Sequence, residues 1–357
     1  MKHLRSAGLQ AIQKYHAPPQ LLVVILPADS VRLYQSVKHF GNITLGVATQ
    51  CLKGNLARGS NPQYWANVCL KINAKLGGVN TKLNLFDSPS WIFDPSSPVM
   101  IIATHVRHPP PGTRGRPSFA GAVASLDSSI ARFTALNTAQ DSRVEMIQGL
   151  EGMVYELIGR YTWWKTNREK QAKSFPEKII YYQNGVSGTQ SACKRHGINP
   201  KITMVIAGGR RHVRFFPTHG KADQYGNCPA GTVVDDVVGS PQEFDFYLQS
   251  HSATSSTSRP SHYSVIHDEN KFSQDGIQEL TYALCHIHAG STRSLSIPAP
   301  LRYAQWVSGG ALNHYSPLNR YSDFNRDDVV SEDLGASSIQ RYRELFMPVH
   351  NSMRYTM

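Results

Sequence analysis

Short, uninterrupted aliphatic runs recur along this chain and leave few choices of fold. Residues 20–27 (QLLVVILP) and 99–106 (VMIIATHV) lack the apolar–polar alternation of a half-exposed strand, so each predicts a buried strand. We predict further strands at residues 119–126, 131–137, 178–183 and 202–208. Strands that alternate with helical segments are typical of an α/β protein.

Helical patterns separate these runs. Asn61 and Pro62 form a start signal for one helix, and Gly77 with Gly78 forms its stop signal. A longer segment places Ile147, Leu150, Val154, Leu157 and Tyr161 on one helical face. We therefore predict helices over residues 1–16, 30–40, 61–76 and 140–168.

Length, charge and cysteine content indicate the number of domains, the kind of partner and the cellular compartment. The 357 residues suggest two domains, and the Pro-, Ser- and Asp-rich stretch 84–97 predicts the linker between them. The net charge of +12 favours a polyanionic partner, either nucleic acid or a membrane surface. The longest apolar run is too short to span a bilayer. Five cysteines without a CxxC pair indicate a reducing compartment, for which we expect the cytoplasm, with the nucleus as the alternative.

Six segments occur together in one order: LGVATQC (45–51), VCLKINAKLGGVN (68–80), PAGTVVD (229–235), EFDFYLQSH (243–251), TSRPSHY (257–263) and STRSLSIPAP (291–300). Together they resemble the eukaryotic Argonaute family from about residue 20 to the end. The resemblance implies a partial, Rossmann-like MID domain at 1–83, the linker at 84–97, and a ribonuclease H-like PIWI domain at 98–357. The family's N-terminal and PAZ domains have no counterpart in this sequence, so we expect a fragment or truncated product.

A cluster of lysines predicts an anion pocket. Lys71 and Lys75 are four residues apart on one predicted helix and project from the same face. With Lys38 on the preceding helix, three lysines around one point repel each other unless an anion lies between them. Gln50 adds a neutral amide donor, and Tyr34, one turn before Lys38, places a ring where a terminal base would stack.

These residues also fit an ordinary exposed surface of amphipathic helices. The resemblance implies instead that they bind the 5′-terminal nucleotide of a small guide RNA, while residues 28–30 inspect its first base. The implied positions, with the two residues alongside, are Tyr34, Lys38, Gln50, Cys51, Asn67, Lys71 and Lys75.

Spaced cations and hydroxyls downstream can follow a phosphate backbone without reading sequence, although a generally basic surface has the same composition. By resemblance, the guide backbone is held by Arg210, Arg214, His251, Arg259 and Ser296. Gly290 and Gly310 stand where the family usually has guide-contacting arginines, so we expect weaker binding than in a full family member.

The resemblance also implies a ribonuclease H-like cutting site with two Mg²⁺ ions held mainly by carboxylates. Here His105, Asn184 and Gln305 replace three of the four ligands, and only Glu145, predicted on the long helix, remains. One carboxylate cannot hold two Mg²⁺ ions, so we predict no metal cofactor and no cutting. A different metal at His105 and Glu145 is the alternative.

Two further expectations concern the remaining sequence. Cys285, His286 and His288 lie close together in the sequence, which would suit a metal site. Because they occupy alternating positions in an apolar segment, packing in the core is favoured instead. The family's long helix after Asn184 has only SACKRHGINPK in its place, so we expect that helix to be missing and part of the sheet to be uncovered.

The main interpretation is an inactive, guide-binding module of RNA silencing, whose partners are guide RNA, complementary target RNA and silencing-complex proteins. The alternatives are an RNA-guided endoribonuclease with an altered metal site, and a degenerate scaffold that binds only proteins.

Overall fold

The structure is a computed structural model that describes residues 2–315 apart from 29, 60, 85, 87, 114–115, 184, 209–211, 241 and 254–255. Its N-terminal part is built around two parallel strands, in which Leu21 pairs with Ala48 and Leu26 with Lys53. A π-helical turn at Phe40–Leu45 leads into the second strand. The elements of this part are α1 (Lys2–Tyr15), β1 (Leu21–Leu26), α2 (Val31–His39), β2 (Ala48–Lys53), α3 (Gly54–Arg58) and α4 (Pro62–Lys75).

The larger part is an eight-stranded mixed sheet. Its strands are β3 (Val99–Arg107), β4 (Ser118–Ser125), β5 (Phe133–Gln140), β6 (Lys178–Tyr182), β7 (Lys201–Ala207), β8 (Thr232–Val234), β9 (Asp245–Gln249) and β10 (Ser261–Asp268). Their order is β5-β4-β3-β6-β7-β10-β9-β8. The central pairs β3–β6 and β6–β7 are parallel, and the outer pairs are antiparallel.

Helices cover both faces of this sheet, which explains why its central strands are continuously apolar. Met100 and Ile102 of β3 pack on one face with α5 (Leu150–Asn167) and α6 (Val186–Arg195). Ile101 and Ala103 pack on the other face with α7 (Gln274–Leu284) and α8 (Ala299–Tyr315). The α/β class and the ribonuclease H-like sheet are therefore as predicted.

The long helix begins later than predicted. α5 starts at Leu150, so the expected start near residue 140 is wrong, and Glu145 lies in an irregular segment instead. Gly149, directly before the helix, has a positive φ of 76°. The side-chain amide of Gln140 donates to the carbonyls of Val144 and Met146 at 2.6 and 3.1 Å, which holds this segment against the end of β5.

The expectation of a missing helix is also wrong. α6 is only 10 residues long, yet its buried Thr189, Ala192 and Cys193 pack beside α5. The sheet is therefore covered at this point.

The boundary between the two predicted domains stays a prediction. Within 84–97, residues Ser90–Phe93 form a single 3-10 turn. Trp91 stacks on Phe272 with ring centroids 4.0 Å apart, and Ile92 is buried in the core of the larger sheet. This stretch thus packs firmly on the larger sheet. Across the described residues, no helix combines the length and apolar character needed to cross a bilayer.

Candidate nucleic-acid interface

The predicted lysine cluster forms between α2, β2 and α4. Asn61 caps α4 by accepting from the amides of Gln63 and Tyr64, so the helix starts as the sequence indicates. This fixes the register that places Lys71 and Lys75 one turn apart near the helix end.

Lys38 and Lys75 converge on a single backbone oxygen. Their Nζ atoms donate to the carbonyl of Thr49 at 2.6 and 2.9 Å. Lys75 also donates to Gln50 Oε1 at 2.5 Å, while Gln50 Nε2 donates to the carbonyl of Cys51 at 3.0 Å. The structure therefore brings Lys38, Gln50 and Lys75 together. It adds Thr49, whose carbonyl accepts from both lysines and whose Oγ1 also accepts from Lys38 Nζ at 3.0 Å.

Burial and the crowding of like charges lower the pKa values at this cluster. Burial, followed by the charges of Lys38 and Lys71, lowers the pKa of Lys75 to about 7. The Lys75 side chain is exposed overall, but its ammonium end is part-buried against Thr49 and Gln50. Burial also lowers the pKa of Lys38. Two crowded, partly desolvated ammonium groups are stabilised by an anion placed between them.

Tyr34 and Cys51 border this cluster. The Tyr34 ring lies 5.6 Å from Lys38 Nζ and is 40% exposed, so its face is accessible. Burial raises the pKa of the Cys51 thiol, against the opposing effect of Lys38 and Lys75. Asp29 of the loop 28–30 lies outside the described residues.

Asn67 joins the cluster to the larger part of the chain. Its Oδ1 accepts from the Thr292 amide at 3.3 Å, and the neighbouring Gln63 donates to Thr292 Oγ1 at 2.5 Å. A Cβ on Gly290 would lie 3.4 Å from Lys71 Cγ, so the exposed Lys71 reaches the same region. Helix α4, which carries Lys71 and Lys75, therefore contacts the larger part of the chain at Gly290 and Thr292.

Three residues of the predicted backbone track lie near one end of the larger sheet. His251 follows β9 and Arg259 precedes β10, and the pairing of Ser261 with Leu248 brings these two segments to one end of the sheet. The Ser296 carbonyl joins them by accepting from Ser261 Oγ at 2.5 Å. Arg214 donates to the carbonyl of Val213 at 2.7 Å, and Arg210 lies outside the described residues.

The residues at the predicted cutting site are engaged elsewhere. His105 Nδ1 lies 2.9 Å from Ser308 Oγ on α8. Glu145 Oε1 lies 3.1 Å from His108 Nε2, and 87% of the Glu145 side chain is exposed. Gln305 Oε1 accepts from Arg302 Nη1 at 3.0 Å. Asn184 is outside the described residues.

These contacts do not fit a pair of Mg²⁺ ions. The surviving carboxylate is already paired, and burial together with Arg107 and His108 lowers the pKa of His105. Within the described ranges, no three His, Cys, Asp or Glu side chains are grouped for a metal ion. Cys285 donates to the Thr281 carbonyl and His286 contacts the Tyr282 carbonyl, so they do not converge with the buried His288.

A family model described as the Piwi domain matches residues 21–316 of this chain. The chain is also similar to solved structures. One is the Argonaute of Kluyveromyces polysporus with a guide RNA, at 24% identity and a TM-score of 0.77, covering 88% of this chain and 38% of that one. This chain thus spans well under half of that protein.

The match covers a larger share of two shorter solved structures. The C-terminal lobe of a budding yeast Argonaute is 23% identical with a TM-score of 0.81, covering 98% of this chain and 72% of that one. The MID-PIWI domains of N. crassa QDE-2 AGO are 21% identical with a TM-score of 0.60, covering 97% and 82%. These likenesses agree with the fold described above.

Proposed function

This chain belongs to the Piwi domain family and is Argonaute-like, and we propose on that basis that it binds the phosphorylated 5′ end of a small guide RNA and acts in RNA silencing. The observation that carries the proposal is the convergence of the Lys38 and Lys75 ammonium groups on one oxygen, with the charge of Lys71 beside them. An RNA 5′ phosphate supplies the missing negative charge, and the exposed Tyr34 ring supplies a stacking surface for the first base. Complementary target RNA and silencing-complex proteins are the further partners we propose, in the cytoplasm.

RNA that copurifies with the protein tests this proposal. We expect single-stranded RNA of uniform, small size that a kinase labels only after phosphatase treatment, because its 5′ end carries a phosphate. RNA of random length with 5′-hydroxyl ends would contradict the proposal and favour the scaffold alternative.

Binding of the 5′ phosphate should depend on pH. The pKa of Lys75 is about 7 in the free protein, so the ammonium loses its proton as the pH rises above 7. A bound phosphate favours the charged form, so affinity should fall with rising pH, by up to about tenfold per unit, until the pKa of the complex is reached. Below about pH 6 the phosphate itself becomes protonated, which places the optimum near pH 6.5–7.

Titrations of 5′-phosphorylated and 5′-hydroxyl RNA between pH 6 and 9 provide the measurement and its control. Only the phosphorylated RNA should show the decline. Rising pH has the opposite effect on the free energy of unfolding, which it should increase. Since burial lowers the folded pKa of Lys75 below its unfolded value, raising the pH from 7 toward 10.5 should increase stability from this group. A flat affinity profile for the phosphorylated RNA would contradict the role of Lys75.

Introducing an arginine at position 310 should strengthen 5′-phosphate binding. A Cβ at Gly310 would meet no atom within 4 Å, so the position has room for a side chain. Gly310 lies one helical turn before His314, whose ring is 5.8 Å from that of His39, the neighbour of Lys38. Gly310→Arg should therefore tighten binding of phosphorylated RNA about tenfold, the value of one charge-assisted contact.

Gly310→Ala is the control for this gain in affinity, because it also replaces a glycine that is unfavourable within a helix but adds no charge. It should stabilise the fold slightly and leave RNA affinity unchanged. Equal gains from the alanine and arginine variants would show that helix stability, and not charge, is responsible.

We predict that guide-loaded protein does not cut a complementary RNA in Mg²⁺ or Mn²⁺. Two dications need nearby carboxylates to offset their repulsion, and His105 and Gln305 supply none. Restoring one ligand should not suffice, because residues that act as one catalytic unit are non-additive. The informative variant is therefore the triple change His105→Asp, Asn184→Asp and Gln305→His. Guide-directed cutting by the unaltered protein, lost on Glu145→Ala, would establish the altered-metal endoribonuclease instead.

A further inference from the structure

Two arginines border the place where the cutting-site carboxylates were expected. Arg107 ends β3, two residues after His105, and Arg302 lies on the first turn of α8. Residues two apart on a strand share a face, so Arg107 and His105 are directed to the same side of the sheet as α8. A region that would attract metal ions is therefore lined by cations.

The guanidinium groups of Arg107 and Arg302 both lie against one face of α8. Arg302, Gln305 and Gly309 recur at helical spacing, and Arg302 Nη1 donates to Gln305 Oε1 at 3.0 Å. Arg107 Nη1 would lie 3.2 Å from a Cβ at position 309, so the glycine leaves space for this guanidinium. Both groups thus lie along the same side of the helix.

Neither arginine has an acidic partner in the part of the chain that the structure describes. Glu145, the surviving carboxylate of the predicted cutting site, is paired with His108. Arg302 and Lys71 both lie within electrostatic reach of the buried His288, because their charges, after burial itself, lower the pKa of His288 to about 4. An unneutralised row of cations favours an extended polyanion.

We propose that Arg107 and Arg302 hold a backbone phosphate of the guide–target RNA duplex directly, without a metal ion. Arginine suits this task because its planar group donates two parallel hydrogen bonds to a phosphate. The two arginines therefore bind the RNA duplex at the position where the family's metal ions were expected. This inference rests on the proposed guide binding.

Neutral linkages in the RNA test it. Guide-loaded protein is titrated, in EDTA, with target RNAs that each carry one uncharged methylphosphonate linkage, and a second series places the linkage in the guide. We expect one linkage whose neutralisation weakens target binding by about tenfold or more. The same linkage should have less than about a twofold effect in the double variant Arg107→Gln with Arg302→Gln, because both charge partners are then gone, and an intermediate effect in each single variant. The series that contains it identifies the strand.

Lys194→Gln is the matched control, since it removes one exposed charge from α6 on the opposite face of the sheet. It should leave the sensitive linkage as in the unaltered protein. Two outcomes would overturn the inference: every linkage behaving alike in the unaltered protein and in the arginine variants, or tight target binding that needs Mg²⁺ at matched ionic strength. Guide affinity is measured first, so failure to bind the guide would count against the proposed function instead.

Discussion

Replacing Lys71 and Lys75 with alanine should largely abolish the preference for 5′-phosphorylated over 5′-hydroxyl RNA. Each charge-assisted hydrogen bond to a phosphate contributes roughly 1.5–3 kcal/mol, so losing two should cost at least about 3 kcal/mol, or about 150-fold in affinity. Affinity for 5′-hydroxyl RNA should change little, because it places no terminal phosphate in the pocket.

The structure indicates that this double variant keeps its fold. Lys71 is exposed, and the Thr49 carbonyl retains the hydrogen bond from Lys38 when Lys75 is lost, so among the described residues the only hydrogen bond left without its donor is the one to Gln50 Oε1. The control pair is Lys173→Ala with Lys194→Ala, which removes the same charge from side chains outside the cluster, since Lys173 contacts Ser96 and Glu177 and Lys194 lies on α6. A preference that survives in the lysine-cluster variant would place the phosphate elsewhere.

Adding a methyl group at Gly121 should have the largest effect on stability. Gly121 pairs with His105 across β4 and β3, under the closest approach of α8. A Cβ there would lie 2.8 Å from the Ala304 carbonyl oxygen and 2.9 Å from the Ser308 amide nitrogen. Because both atoms are backbone, the whole helix must shift.

Overpacking of this kind costs typically 1–3 kcal/mol and sometimes more, a large share of the total stability of a domain. Gly121→Ala should therefore lower the midpoint of urea unfolding, and Gly121→Val should lower it further. Gly152→Ala is the matched control, because it lies in α5 with no atom within 4 Å of its Cβ, and it should stabilise by about 0.5–1 kcal/mol. Equal stability of the two alanine variants would show that α8 shifts away from the added methyl group without a loss of folding free energy.

The central strands could be predicted from sequence because burial on both faces leaves a continuous apolar run. β3 and β6 follow this rule: Ile101 and Ile180 face one core, while Met100 and Ile179 face the other. The predicted bounds of these strands agree with the structure to within one residue.

The start of α5 could not be predicted in the same way. Ile147 extends the apolar stripe of the helix and packs against the same core, although it is not helical. The periodic pattern therefore runs past the true start at Leu150. The helix cannot begin earlier because Gly149 has a positive φ and the side chain of Gln140 holds the preceding segment, and both features depend on tertiary structure.

The short helix α6 has only a weak signal in the sequence. Thr189, Ala192 and Cys193 follow the three- and four-residue spacing of a helix face, but none of them is strongly hydrophobic. Within the site, the charged side chains of Lys38 and Lys75 could be identified from sequence, whereas the Thr49 carbonyl between them could not. The contact of Arg107 with α8 joins residues about 200 positions apart, which no local pattern reveals.

The most direct test of guide binding compares two RNAs that differ only in their 5′ end. The unaltered protein is titrated near pH 7 with one labelled single-stranded RNA that bears either a 5′ phosphate or a 5′ hydroxyl. We predict that the phosphorylated RNA binds at least about 150-fold more tightly, since Lys38 and Lys75 each gain a charge-assisted contact that contributes at least about 1.5 kcal/mol. Equal affinity for the two RNAs would contradict the assignment of this lysine cluster as a 5′-phosphate pocket.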